Sequence, residues 1–163
     1  MDAINRYKMT LTLPSDVEFV LARKFDAPRS LVFQAWTEPK HLTKWFGCVG
    51  GLVGCDVDLT VDGGFRYVMK TGPGQPHSVI FGVYREVKAP ARLVHTQGFV
   101  AEGFLTPNVM VTTTFDERHG CTTLTSNIWH NSKADRDAYL ASGVERGADA
   151  SFDQLEAHIR TMM

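Results

Sequence analysis

The spacing of apolar positions changes period twice along the chain. In Val17-Glu18-Phe19-Val20-Leu21-Ala22-Arg23-Lys24-Phe25 the residues are β-favouring, and Val17, Phe19, Leu21, Arg23 and Phe25 share one face, which predicts a strand. The period then becomes helical. Pro28 suits a first helical position, with Asp26 or Ala27 before it as cap, and Val32, Phe33 and Trp36 recur at helical spacing. Glu38-Pro39 stops this helix, and Pro39 starts a second short one reaching Trp45-Phe46. Period two returns in Cys55–Val61, Phe65–Thr71, Ser78–Val87, Arg92–Gln97, Val109–Asp116 and Cys121–His130. Turn residues separate these runs, including Asp62-Gly63-Gly64, Gly72-Pro73-Gly74, Ala89-Pro90 and Glu117–Gly120, with a longer loop carrying Gly98, Gly103 and Pro107. Short strands joined this way predict an antiparallel meander. Residues 1–14 read as a loosely held lead-in strand, and Gly47–Gly54 as a glycine-rich bend or lid. That stretch lacks the Gly-Lys-Ser/Thr ending of a phosphate-binding loop.

The last segment is helical. Ser132 with Asp135 three residues on resembles an N-cap, and Leu140, Val144, Gly147/Ala148, Ser151, Leu155 and Ile159 repeat at steps of three and four. This predicts one long amphipathic helix with a middle of small residues, Gly143, Gly147, Ala148 and Ser151. Each interior glycine costs ~1 kcal/mol relative to alanine, so a pair on the apolar face points to close approach to a sheet or to space beside one. The fold class is α+β: a strand, two short helices, about six antiparallel strands and a long C-terminal helix that needs the sheet as its apolar partner. A sheet curling around one helix leaves a cavity between them. The pattern contains no repeat, linker or charge block, so residues 1–163 are expected to form a single domain.

Composition sharpens this picture only in part. Lys+Arg 17 against Asp+Glu 18 gives a net charge of −1 over 163 residues, which offers no electrostatic reason to expect a nucleic-acid partner. No apolar run approaches the ~20 residues of a membrane-spanning helix, and the charged start with Asp2, Arg6 and Lys8 does not read as a signal peptide. Three cysteines, Cys48, Cys55 and Cys121, read as reduced thiols, with Cys48 and Cys55 able in principle to pair. The expected location is the cytoplasm.

The candidate chemistry concerns binding more than catalysis. Phe65, Tyr67 and Met69 alternate with Arg66, Val68 and Lys70, so the first set should face inwards, as pocket wall or as plain core. Trp45 and Phe46 are placed to close a cavity mouth, or to plug it. In Ser78–Val87 the inward face is open between Val79, Phe81, Val83, Arg85 and Val87 and the set Ile80, Gly82, Tyr84 and Glu86. Leu124, Ser126 and Ile128 are expected inwards. The candidate ligand-contact set is Trp36, Trp45, Phe46, Phe65, Tyr67, Met69, Phe81, Tyr84, Met110, Ile128, Val144, Ala148 and Phe152. Of six histidines none forms HxH or HExxH, so no metal or other cofactor is expected, and no GxSxG occurs. Asp56 and Asp58 read as a solvated strand edge. Cys121 and His119 lack the setting of a nucleophile–base dyad. His95 or His130 is the best general acid/base, if there is one.

The ordered motifs also resemble a known family. Phe25-Asp26-Ala27-Pro28-Arg29 with Val32-Phe33-Gln34-Ala35-Trp36 is similar to the opening of START-like (SRPBCC superfamily) domains. The nearest branch is that homologous to the C-terminal domain of the heat-shock-protein-90 ATPase activator. Glu38-Pro39 with Leu42 to Phe46, Asp62-Gly63-Gly64-Phe65-Arg66, Phe81 to Val87 with Pro90 to Val94, Thr122 to Thr125, and Gly143 to Leu155 match its blocks in order. The resemblance implies a helix-grip fold with an internal apolar pocket. It allows three functions: binding of a hydrophobic lipid-like or aromatic small molecule, a cyclase- or hydrolase-like enzyme using the same cavity, or a chaperone-ATPase-interacting module. A homodimer through an exposed strand edge is also compatible, though no residue points to it. Two departures stand out: Thr60 replaces the family's arginine before the glycine turn, and Ala148 replaces its tryptophan in the last helix, where Phe152 stands for its leucine. Either Phe152 refills that space or the pocket is enlarged.

Overall fold

The structure, a computed structural model, describes residues 7–47, 51–70, 74, 77–101 and 104–163. Cys48, Gly72, Pro73 and Gly103 lie outside the described residues, and with Cys48 the proposed pairing to Cys55. The elements in chain order are β1 (Thr10–Ser15), β2 (Glu18–Phe25), α1 (Arg29–Thr37), α2 (Pro39–Trp45), β3 (Leu52–Val57), β4 (Gly64–Met69), β5 (Ser78–Lys88), β6 (Arg92–Ala101), β7 (Phe104–Leu105), β8 (Val109–Arg118), β9 (Cys121–Trp129), α3 (Lys133–Ala141) and α4 (Val144–Met162). One curved antiparallel sheet runs in the order β1-β2-β9-β8-β6-β5-β4-β3, with β7 paired to β6. The helices cover one face of it.

Alternation decides which face is covered. Phe19, Leu21, Arg23 and Phe25 of β2, Leu124, Ser126 and Ile128 of β9, and Phe65 and Tyr67 of β4 are all buried, as their period-two spacing requires. Two cross-strand pairs explain the glycines of the central strands. Phe65 pairs with Gly82 and its ring covers the place a Cβ of Gly82 would take; Phe81 pairs with Gly98 and does the same on the opposite face.

Several elements depart from the expected pattern, and three of them bear on the fold here. β3 begins at Leu52 rather than Cys55, because a register shift between Leu52 and Gly54 lets a glycine-rich stretch pair with β4. It ends at Val57, where Asp58 turns back: Gly63 packs so closely on Asp58 that a Cβ there would fall 2.3 Å from the Asp58 carbonyl oxygen. In that turn the Thr60 hydroxyl donates to Asp58 Oδ1 at 3.0 Å, in place of the family's arginine. Pro28 itself occupies the N-cap of α1, with no side-chain cap bond from Asp26 or Ala27. The third departure matters most. The C-terminal segment is two helices, because Gly143 adopts φ +93°, the left-handed region that ends one helix and starts the next. Ser132 does cap α3, its Oγ accepting from the Asp135 N–H at 3.0 Å.

Candidate functional site

The break at Gly143 sets the angle at which α4 meets the sheet, and the two halves of α4 meet it differently. In the C-terminal half Phe152, Leu155, Glu156 and Ile159 are buried. Phe152 meets Phe25 edge-on at 6.1 Å, and the fully buried Arg23 of β2 reaches Asp153 at 3.0 Å and Glu156 at 3.2 Å. Burial pushes the Glu156 carboxyl up, against the opposing pull of Arg23. In the N-terminal half the sheet-facing residues are Val144, Gly147, Ala148 and Ser151, none fully buried. A Cβ added to Gly147 would meet nothing within 4 Å.

That half roofs a cavity of about 620 Å³, inside the range of small-molecule sites. Ten of the candidate contact residues line it: Trp36, Trp45, Phe46, Phe65, Tyr67, Met69, Ile128, Val144, Ala148 and Phe152. Trp36 stacks on Trp45 at 5.4 Å, and the Trp45 indole N–H donates to the Ala35 carbonyl at 2.7 Å, so this wall is held by α1 and α2 together. Phe46 lies 5.1 Å from Tyr67, linking the end of α2 to β4. Ala148 and Phe152 both border the cavity: Phe152 fills the side toward Trp36 and Phe25, while Ala148 leaves its own side open.

Three of the expected residues do not line the cavity. Phe81 faces the other side of the sheet, over Gly98. Met110 also points away, since its neighbours Val109 and Val111 take the inward positions of β8. Tyr84 is turned toward the covered face but sits behind the wall, its hydroxyl hydrogen-bonded to that of Tyr67, and burial pushes its pKa up to about 12. A register shift after Tyr84 then sends Glu86 to the surface, where Arg92 Nε donates to it at 2.8 Å. The inward set of β5 is therefore Ser78, Ile80, Gly82 and Tyr84, and past the register shift Val87 packs on the core.

Sequence reasoning missed part of the lining. Phe19 and Leu21 share one face of the expected first strand, and that face lines the cavity. Gln97, Asn108 and Tyr139 were overlooked because β6 extends beyond Gln97 and because Tyr139 belongs to a separate α3. These residues give the cavity a second, more polar end. Gln97 hydrogen-bonds the Tyr139 hydroxyl, Ser126 and Thr113 share a hydroxyl contact at 3.1 Å, and His95 and His130 both line the space. His95 Nδ1–H donates to the Thr96 carbonyl at 2.9 Å, and His130 Nδ1–H to the Val17 carbonyl at 3.2 Å. A carbonyl only accepts, so each ring, when neutral, carries an unprotonated Nε2. Burial holds both histidines below the ordinary value. The other candidates are not brought to the cavity. Asp58 serves its own turn, His119 sits in a hairpin turn at φ 55°, and Cys121 Sγ–H donates to Asp26 Oδ1 at 3.2 Å. Burial also pushes the Cys55 thiol up to about 11. Among the described residues no group of three or more His, Cys, Asp or Glu is placed to hold a metal, and no helix is long and apolar enough to cross a membrane.

Comparison with known proteins places this architecture. Crystal structures with the same fold include a Rhodobacter sphaeroides protein at 21% identity, covering 96% of this chain and 100% of its own, with TM-score 0.86. Another is Ms6760 from Mycobacterium smegmatis at 26% identity, 91% and 95% coverage, and TM-score 0.79. A Staphylococcus epidermidis protein solved in solution is 25% identical, with 95% and 96% coverage and TM-score 0.79. No curated protein matches the sequence. The model of the family described as Activator of Hsp90 ATPase homolog 1-like protein matches residues 26–160, so a START-like sheet gripping a C-terminal helix, with this order of motifs along it, makes the chain a member of that family.

Proposed function

We propose that the protein binds a hydrophobic small molecule between the curved sheet and the N-terminal half of α4. The observation that carries this reading is the pairing of an aromatic wall (Trp36, Trp45, Phe46, Phe65, Tyr67) with a roof of small residues, Gly147 and Ala148, around about 620 Å³. Protein interiors are packed without voids of this size, and every large residue omitted there forgoes burial energy, so the space supports a role outside folding. The test is native mass spectrometry of purified protein, followed by titration with lipid-like and aromatic compounds. A stoichiometric apolar adduct is the expected result; an interior that takes up nothing contradicts it.

The polar end favours a second reading, an enzyme of the cyclase or hydrolase kind with His95 as general base. Among the described residues, however, neither histidine is hydrogen-bonded to a hydroxyl or thiol nucleophile, so binding ranks first. The family description also suggests action on a chaperone ATPase; no observation of this chain's own residues favours it, and an ATPase stimulation assay decides it.

A further inference from the structure

We infer that His95 Nε2 is the polar anchor of this cavity and selects a neutral ligand carrying a hydroxyl donor, an aromatic alcohol or phenol rather than a carboxylate. The inference rests on the binding reading above and adds the ligand's polar chemistry. His95 is only 7% exposed, and it lies among the lining residues. Its backbone register is fixed on both sides: β6 places it opposite Tyr84 of β5 and Val111 of β8. Its ring is wedged edge-on against Phe65 at 4.9 Å and Tyr84 at 5.8 Å. The Nδ1–H is committed to the Thr96 carbonyl at 2.9 Å, which forces the tautomer and leaves Nε2 as a lone pair.

Among the described residues that nitrogen has no hydrogen-bond partner, yet it is not one of the side-chain atoms sealed from solvent without one, as His130 Nε2 is. His95 Nε2 therefore retains accessible area, and the space its residue borders is the cavity. A pre-oriented acceptor in an apolar wall fits an incoming O–H. It does not fit a carboxylate, whose oxygens also only accept. Among the described residues the lining contains no Lys or Arg to neutralise an anion, and its one carboxylate, Asp135, would repel one. The aromatic wall that continues from Phe65 through Tyr67, Phe46 and Trp45 suits a flat apolar body attached to the hydroxyl.

Fluorescence titration at pH 7 with 1-hydroxypyrene, 1-methoxypyrene and 1-pyrenecarboxylic acid tests this. A single neutral hydrogen bond contributes about 0.5–1.5 kcal/mol, so the hydroxyl compound should bind roughly 2- to 12-fold more tightly than its methyl ether, with the carboxylate weakest. In His95→Phe the ether should bind as before and the hydroxyl preference should vanish; His95→Gln, which keeps an acceptor, should retain part of it. Equal binding of hydroxyl and ether to the natural protein, or tighter binding of the carboxylate, overturns the role of His95 while the cavity reading stands. Binding of none of the three overturns both.

Discussion

One helix, α4, lies on one sheet and makes two different interfaces with it. Over Phe152 to Ile159 the layer is closed: aromatic and aliphatic side chains interlock, and Arg23 is neutralised from above by Asp153 and Glu156. Over Val144 to Ser151 the layer is open, and the sheet below is no less aromatic. The difference lies in the helix. Side chains of one or no carbons at 147 and 148 leave the two surfaces apart, and the glycine hinge at 143 lets α3 turn Tyr139 against Phe19 and His130 at the far end. The comparison teaches that the cavity follows from omitted side chains on an otherwise rigid frame.

The largest effect expected from breaking this contrast is at the closed half. Arg23→Met leaves the buried Glu156 carboxylate with the longer Arg160 contact at 3.5 Å and should cost about 3–5 kcal/mol in urea unfolding; the double variant Arg23→Met/Glu156→Leu should recover much of it. Leu155→Ala, in the same half, should lose about 2–5 kcal/mol to a new cavity. At the open half the same style of change reads out differently. Ala148→Trp should leave stability within about 1.5 kcal/mol, because it fills existing space, while weakening uptake of an apolar ligand by tenfold or more.

Acid should act next. His95, His130 and His158 are all held below the ordinary histidine value of 6.5, first by burial, and His158 also by His41, whose Nδ1 lies 2.9 Å from its Nε2. The unfolded chain then binds protons that the folded one refuses. The stability these groups confer is full above about pH 6.5 and falls as pH drops through that value. The urea midpoint should fall between pH 7.5 and 5.5, and His158→Gln should fall less. The smallest effect is at the roof itself: Gly147→Ala has room for its methyl and should raise stability by about 0.5–1 kcal/mol. A loss there would mean that the roof is tighter than the open geometry indicates.

Much of this was legible in the residues. Alternation in Phe65-Arg66-Tyr67 and Leu124 to Ile128 gives the inward face directly, since the wrong face would bury charges. The small residues at 147 and 148 point to close approach to the sheet or to space beside it, without choosing between the two. What the chain could not show were the points where backbone geometry interrupts a period. Gly143 falls on the helical repeat, and only its positive φ shows that it belongs to neither helix. Phe81 stands among the expected contact residues because hydrophobicity alone does not say that its ring lies over Gly98. Met110 shares that fate, one residue out of phase with Val109 and Val111. The sequence offers His95 only as one of two acid/base candidates, because its fixed tautomer depends on where the Thr96 carbonyl points.

The most direct test of the account is native mass spectrometry of the natural protein beside Ala148→Trp, both offered the same apolar aromatic compound and both shown to be folded. A one-to-one adduct is expected on the natural protein and should be lost in Ala148→Trp. Adducts of equal abundance on both, or on neither, would contradict it.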